Sequence, residues 1–558
     1  MRKITVTCLL LFALVPLCYP EAAELHVPSE FSTIQSAIDA ASEGDTVMVH
    51  PGRYSRIVFR NGTITVTSTG PDSREIVEGT VIDGGGDAHA VLFPQNGISR
   101  SIISGFTITG GAQTGIRCES SGFAEASNNP TIMGNLIIGN GRGIQSSYSA
   151  PIIINNTISD GGISLSSNYD KISVTGNIIT NGSISIFNNF GEVILAGNTV
   201  LGNRWNGLLL WSPRALVSIV DNTILDHGES GIDADGDSII VSGNRIYGNL
   251  GGGLRIEHAN GAIITNNLVY LNTYAQESVW PASGIFVSYS RDFLVEGNTV
   301  TGNRGLKAGG IFLYEVKHFQ VNGNLIWGNQ SDDPWGSGPI EALARTGQFV
   351  GNMITGNRGA WAVSIVSESA SEVRLSNNIV RSNSSNRLSL SAALGTVHVV
   401  YCNIQDGLSS VSGEVIFGPG NMDADPLFVD PGHWDGDTFV LGDYHLLPGS
   451  PCIDAGTNDI DHPYTTKIET LPDTDIAGLP RIIDGNLDGI ATVDIGAYEH
   501  LPGDVNYDGR VNILDLITVR ASLGQDPSSS PAARKADANA DGRVNIEDLI
   551  MVRGRLGK

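Results

Sequence analysis

Two duplicated segments near the C-terminus have the residue types and spacing to hold a hard cation. Residues 504–515 read DVNYDGRVNILD and residues 537–548 read DANADGRVNIED. In the first, Asp504, Asn506 and Asp508 bring oxygens at loop positions one, three and five. Arg510 offers its carbonyl at seven, Asn512 acts directly or through water at nine, and Asp515 closes the shell at twelve. Gly509, at position six, permits the sharp turn. The second segment repeats the set with Asp537, Asn539, Asp541, Gly542, Arg543, Asn545 and Asp548. Calcium takes about six to eight oxygen ligands, and this spacing wraps its donors around one point. An ordinary acidic turn has no reason to recur in full 33 residues later, so two Ca2+ ions are expected. Asp484, Asn486 and Asp488 in DGNLDG begin a similar pattern without completing it, and read either as a further cation turn or as a plain turn.

A second set of candidate residues lies mid-chain, in short runs such as GLLLW, GIDAD, GLRIE and GIFV. Aligning these runs by their leading glycine and apolar residue places Arg117 and Glu119, Gln145 and Ser147, and Ser164 and Ser166 outward. Leu209 and Trp211, Asp233 and Asp235, Arg255 and Glu257, Phe286 and Ser288, and Phe312 and Tyr314 follow in the same two positions. Asp235 and Glu257 are 22 residues apart. If they stack one strand spacing apart, their repulsion lets one keep a proton as general acid while the other activates water or attacks a sugar carbon. Asp233 and Arg255 would orient charge or bind a hydroxyl. Trp211, Phe286, Phe312 and Tyr314 would give stacking surface for a polysaccharide, with His227 and His258 as peripheral proton-transfer groups. The inserts TYAQESVWPAS and QSDDPWGSGP could wall the groove. Two alternatives stand beside hydrolysis. One is a face that binds glycan without reacting, or that is only a paired, solvated surface. The other is a lyase using Arg255 or a lysine as base, with calcium held by Asp233, Asp235 and Glu257. No complete lyase or polygalacturonase catalytic motif is present.

What must position these residues is a repeat. A short apolar run, Gly-Asn or Asn-Asn, and two or three apolar or Thr residues recur around Asn135, Asn156, Asn177, Asn198, Asn222, Asn244, Asn267, Asn298, Asn324, Asn352, Asn378 and Asn403. The first four are spaced by 21 residues, and later steps stretch to 31. That period is too short for a strand–helix–strand unit, and the runs between asparagines alternate like strands. One turn of a right-handed parallel β-helix fits, with three short strands per turn. The asparagine amide bonds backbone at the bend and its counterpart in the next turn. Residues 32–41 (STIQSAIDAA) show a helical apolar pattern suited to covering the first turn, and 417–499 are less periodic and expected to close the other end.

Bulk properties agree with an exported solenoid. The chain has 558 residues, 69 of them glycine, and a formal net charge of −25. That charge repels phosphate backbones and disfavours nucleic acid as a partner. It also disfavours polyanionic substrates unless calcium bridges the charges. Arg2 and Lys3 followed by the apolar run from Ile4 to Leu17 predict a signal peptide over residues 1–23 and a secreted or cell-surface protein. Of the cysteines left after cleavage, Cys118, Cys402 and Cys452, the last two could pair, though buried free thiols are the simpler expectation.

The block IQSAIDAASEGDTVMVHPGRY, the asparagine repeat and the tail YHLLPGSPCIDAG…DIAGLPRIIDGNLDGIATVDIGAYE resemble exported bacterial β-helix proteins of the pectin-lyase-like superfamily, over roughly residues 24–500. The resemblance implies the fold and leaves the activity open, because the superfamily includes lyases, glycoside hydrolases, epimerases and non-enzymatic surface proteins. Residues 502–558, each loop leading into a short helix (DLITVRASLG and DLIMVRGRLG), resemble a type I dockerin. That implies docking onto a cohesin-like scaffold or surface protein. The usual recognition pair falls here on Ile513-Leu514 and Ile546-Glu547, where cellulosomal members often carry small hydroxyl residues. Arg520 and Arg553 lie close enough to join the partner face. DPSSSP reads as a linker between the two halves, and EHLPGD leaves almost none between the module and the solenoid.

Overall fold

The computed structural model describes residues 22–557 apart from 61, 96–99, 121–127, 212, 275–283, 334–337, 368–371, 385–387, 393–395, 413–414 and 461–470. The expected export signal therefore lies outside the described residues except for its last two, as do most of TYAQESVWPAS and the middle of QSDDPWGSGP.

Each turn of the chain folds as three short strands. Val217–Val220, Thr223–Leu225 and Ile232–Asp235 make one turn, and Ile239–Ser242, Arg245–Tyr247 and Leu254–Glu257 make the next. Equivalent strands pair in parallel, so Val217 meets Ile239, Thr223 meets Arg245 and Ile232 meets Leu254. Three faces result, called first, second and third in chain order. The second is a 15-stranded sheet. The first and third join through Ile311–Asn322, a strand that runs across the corner between them. The whole is an all-β parallel solenoid of about 14 turns. Alternation sets what is inside: Val217, Ile219, Ile224, Ile232 and Ala234 are fully buried in one continuous core, while their neighbours in sequence point outward.

The asparagine repeat forms a hydrogen-bonded stack at the bend between first and second faces. Asn156 donates its amide to Ile132 O (2.9 Å), Ile154 O (3.0 Å) and Asn177 Oδ1 (3.0 Å), and its backbone N–H reaches the same Oδ1 at 2.9 Å. The stack runs from Asn135 to Asn378. The preceding residue sits in the left-handed region, as at Gly176 (φ 65°) and Gly243 (φ 69°), or is Asn155 or Asp221, whose types tolerate it. At the end the sequence expectation is off by one residue. Asn378 bonds the Cys402 thiol, not Asn403. Asn403 belongs to the second face opposite Ile379, and its amide meets Ala424 O and Cys452 Sγ.

A second stack, at the bend between second and third faces, was not anticipated. Asn249, Asn272, Asn303, Asn329, Asn357 and Asn383 link amide to amide. Its signal is a second asparagine five residues after the first, as in GNRIYGN and GNLIWGN. His227 heads this stack. It is fully buried, bonds Val200 O through Nε2 at 3.1 Å, and has its pKa lowered by burial. It is structural and has no access to a substrate, contrary to the proton-transfer role considered from sequence.

The N-terminal helix forms as expected, over Ile34–Ala40. Thr33 and Ser36 make a reciprocal capping box, and Ile34, Ala37 and Ile38 are buried. Several described residues of 417–499 pack along the outer side of the late second-face strands. Leu325, Trp327, Met353 and Ile379 point outward there and pack against Phe428, Tyr444, Leu446 and Ile495. The three described cysteines are free and buried.

The C-terminal module has its own small core of Val505, Val511, Val519, Ala533, Ala536, Val544 and Val552. Helices Ile513–Ser522 and Ile546–Arg553 follow the two loops. DPSSSP is not a free linker: Asp526 caps a short turn and Ser530 caps a helix over Pro531–Ala536, whose Ala533 and Ala536 join the core. The module is seated on the solenoid. Tyr507 stacks on His445 (centroids 4.5 Å apart), Lys535 reaches Asp443 at 2.6 Å, and Arg534 donates to Val429 O at 3.2 Å.

Candidate functional site on the third face and the calcium module

The strand register brings the mid-chain residues into the two expected columns. In one, Ser164, Ser185, Leu209, Asp233, Arg255, Phe286 and Phe312 are successive neighbours. In the other, Trp211, Asp235, Glu257, Ser288 and Tyr314 follow each other. Arg255 lies between two carboxylates, 3.1 Å from Asp233 Oδ2 and 2.6 Å from Glu257 Oε2. Glu257 is 9% exposed, and its other oxygen accepts the Ser288 hydroxyl at 2.8 Å. Both its oxygens are therefore engaged. Burial pushes the Asp233 carboxyl up from its ordinary range, and the Arg255 charge pulls it back. Asp235 contacts His258 Nδ1 at 3.3 Å, and a carboxylate oxygen of each acid and a ring nitrogen of His258 lie within 4.8 Å of one another. His258 in turn stacks on Tyr289.

The stacking residues divide. Trp211 is 59% exposed beside Asp235, and Tyr314 is half-buried. Phe286 and Phe312 are not available surface: they are 4% and 6% exposed, their rings stack at 5.3 Å, and Ala308 packs on them. The segment that leads into Ile311 folds over these rings, and the periodicity of a single strand carries no sign of that.

In the module, each loop converges as its spacing requires. Asp515 Oδ1 accepts the N–H of Val505 (3.0 Å) and Asn506 (3.2 Å), and Oδ2 that of Asn512 (2.7 Å). Asp548 does the same for Asn539 (3.2 Å) and Asn545 (2.8 Å). Asp504 and Asp537 accept Gly509 and Gly542 at 2.8 Å and 2.9 Å. Asp515 and Asp548 are fully buried, and no lysine or arginine pairs with a loop carboxylate among the described residues. Burial, with Asp515 and Asp508 alongside, pushes the Asp504 carboxyl to about 6. Clustered buried anions without a cationic side chain are the setting a divalent ion completes. The donors therefore fit calcium, which Asp504, Asn506, Asp508, Arg510 carbonyl, Asn512 and Asp515, and the equivalent second set, would hold.

The DGNLDG turn has a partner the sequence did not reveal. Asp454 accepts the N–H of Asn486 (2.6 Å) and Thr492 (3.2 Å), as Asp515 does for Asn506 and Asn512.

Helices Ile513–Ser522 and Ile546–Arg553 carry exposed apolar residues. Ile513, Leu514 and Ile517 are 61%, 51% and 55% exposed, and Ile546 and Ile550 are both 63%.

A family model for a right handed beta helix region matches residues 54–216 and 206–404, and a dockerin type I domain model matches residues 502–557. Dockerin type I domains bind calcium and dock onto cohesin partners. No curated protein matches the chain. Among solved structures, the chain is similar to XylC in complex with xylose, at 12% identity over 86% of this chain and 98% of that one, with a TM-score of 0.36. It is similar to pectate lyase Pel9A at 13% identity over 84% and 91%, TM-score 0.21. It is also similar to the Dettilon tailspike protein at 13% identity over 67% and 68%, TM-score 0.26. With matches that together span residues 54–404, the chain belongs to the right-handed β-helix family and carries a dockerin type I domain at its C-terminus.

Proposed function

We propose that this is an exported protein that binds polysaccharide along the third face of its solenoid, residues 24–500, and is held on a cohesin-bearing scaffold or surface by residues 502–558 with two bound calcium ions. The observation that carries the binding proposal is the placement of an exposed indole, Trp211, directly in register beside Asp235 and the Asp233–Arg255–Glu257 network. An aromatic face beside a few fixed polar groups is the chemistry that recognises sugar rings, and a rigid sheet holds those groups without ordering cost. The charged groups pair internally, which suits neutral sugars over polyanions.

Glycoside hydrolysis is a second reading, favoured by one distance. A spacing within 4.8 Å between oxygens of Asp235 and Glu257 is close to the roughly 5–5.5 Å between the carboxyl groups of a retaining pair. Glu257 would attack, and Asp235 would donate the proton.

The test incubates the calcium-loaded full chain with neutral and uronate polysaccharides, measuring binding, reducing-end release and unsaturated product. Binding without new ends supports the binding module. New reducing ends abolished by E257Q establish hydrolysis. Unsaturated product establishes the lyase alternative, and absence of any binding rejects the proposal.

A further inference from the structure

The outer side of the second face carries its own column, and it is uneven. Tyr247, Tyr270, Thr301 and Trp327 are successive register neighbours. Tyr247 and Tyr270 stack at 4.6 Å. Thr301 then interrupts the aromatic series, so Tyr270 and Trp327 stand two strand spacings apart, about 9.6 Å, with a short side chain between them. A hairpin from the C-terminal segment, His433–Asp435 paired with Thr438–Val440, comes alongside this notch. Trp434 is fixed there by a bond from its Nε1 to Gly356 O (2.7 Å) and by Arg358 against its face (3.8 Å). Phe439 lies against both Trp327 and Trp434, at 5.5 Å and 5.3 Å.

The result is a cleft of about 360 Å³ lined by Tyr270, Thr301, Arg304, Trp327, Trp434 and Phe439 among others. Two observations define what it would take. Four aromatic side chains, Tyr270, Trp327, Trp434 and Phe439, contribute to the lining. The charges at its rim cancel: Arg304 meets Asp332 at 2.6 Å, and Arg358 meets Asp437 at 3.4 Å.

We propose that this cleft is a binding site for a neutral saccharide of one or two rings. The rings would lie against the aromatic side chains, and the Arg304–Asp332 pair would hydrogen-bond hydroxyls at the rim. The cleft volume is at the small end of the roughly 300–1,000 Å³ usual for such sites, so it takes a short segment, not a long chain. The site is on a different face from Trp211 and Asp235 and stands independently of the third-face proposal.

The experiment is isothermal titration of the full chain with calcium, using neutral β-1,4-linked di- and tetrasaccharides of xylose, mannose and glucose, and oligogalacturonate for comparison. Two variants report on the cleft. W434A removes a wall. T301Y fills the notch with the side chain that the two preceding turns carry in the same column, and circular dichroism checks that it folds. A third, W211A, alters only the other face. The expected result is binding of a neutral oligosaccharide that weakens at least tenfold in W434A and T301Y, while W211A retains the cleft component. No binding by any neutral member, a preference for oligogalacturonate, or undiminished binding in a folded T301Y overturns the proposal. Loss in W211A alone would locate all binding on the third face and also overturn it.

Discussion

Replacing Asn244 by alanine probes what holds successive turns together. Its side chain is fully buried; Oδ1 accepts the Asn222 backbone N–H at 2.9 Å and its amide at 3.0 Å, and Nδ2 donates to Ile219 O, Ser242 O and Asn267 Oδ1 at 2.8, 3.1 and 2.9 Å. After truncation Asn222 keeps other acceptors for its amide, at Leu195 O and Val220 O, but its backbone N–H loses its partner. Ile219 O loses a donor too. Leaving one or two buried groups unsatisfied at about 1–3 kcal/mol each gives an expected loss of roughly 1–6 kcal/mol. Urea unfolding followed by circular dichroism measures it, as a shift in midpoint at constant slope. N260A, an exposed asparagine bonded to Asp237 at 2.9 Å, is the control and should stay within about 0.5 kcal/mol. A loss below about 1 kcal/mol for N244A, or equal losses in the two variants, would show that the stack is a passenger of the fold.

Other outcomes follow from the same geometry. D515A and D548A should each remove one bound calcium from the full chain in equilibrium dialysis, because each buried carboxylate closes one loop; unchanged stoichiometry would contradict the donor assignment. Burial opposes ionisation of Asp443, but His445 and Lys535 outweigh it and hold the carboxyl well below the usual range. A depressed acid stabilises the fold above its unfolded pKa of about 3.9 and loses that contribution as pH falls through the folded value. Seating of the module should therefore hold at neutral pH and loosen only below about pH 4, read by proteolysis between residues 500 and 504; release beginning at pH 6 would contradict it. G243A should destabilise by about 1–3 kcal/mol in thermal melts, since its φ is 69° and a Cβ would sit 2.2 Å from Asp221 Oδ1; a neutral result would show that the bend relaxes freely.

Much of this was legible because a solenoid repeats its physics every turn. The asparagine period fixed the turn length, and alternation within runs such as GIDAD and GLRIE was enough to align Asp233 with Arg255 and Asp235 with Glu257. The calcium loops were legible because all their donors lie within one short segment. What escaped depends on contacts between distant segments. Asp454 completes the hydrogen bonding of the DGNLDG turn from 30 residues upstream. Phe286 and Phe312 are covered by the approach to Ile311, and Trp434 reaches back to Gly356 across the side of the solenoid. Local misses have local causes. His227 has the type of a catalytic residue and the position of a stack residue. Cys402 takes an asparagine's place, so the eye settles on Asn403 beside it.

The central claim, that the third face engages polysaccharide, is tested most directly by affinity electrophoresis of calcium-loaded W211A through gels containing a bound polysaccharide, with W205A as control. Trp205 is 60% exposed and outside both columns, and Trp211 is 59% exposed within one. W211A should lose most of its retardation while W205A runs like the unmodified chain. Equal retardation of all three proteins would contradict it.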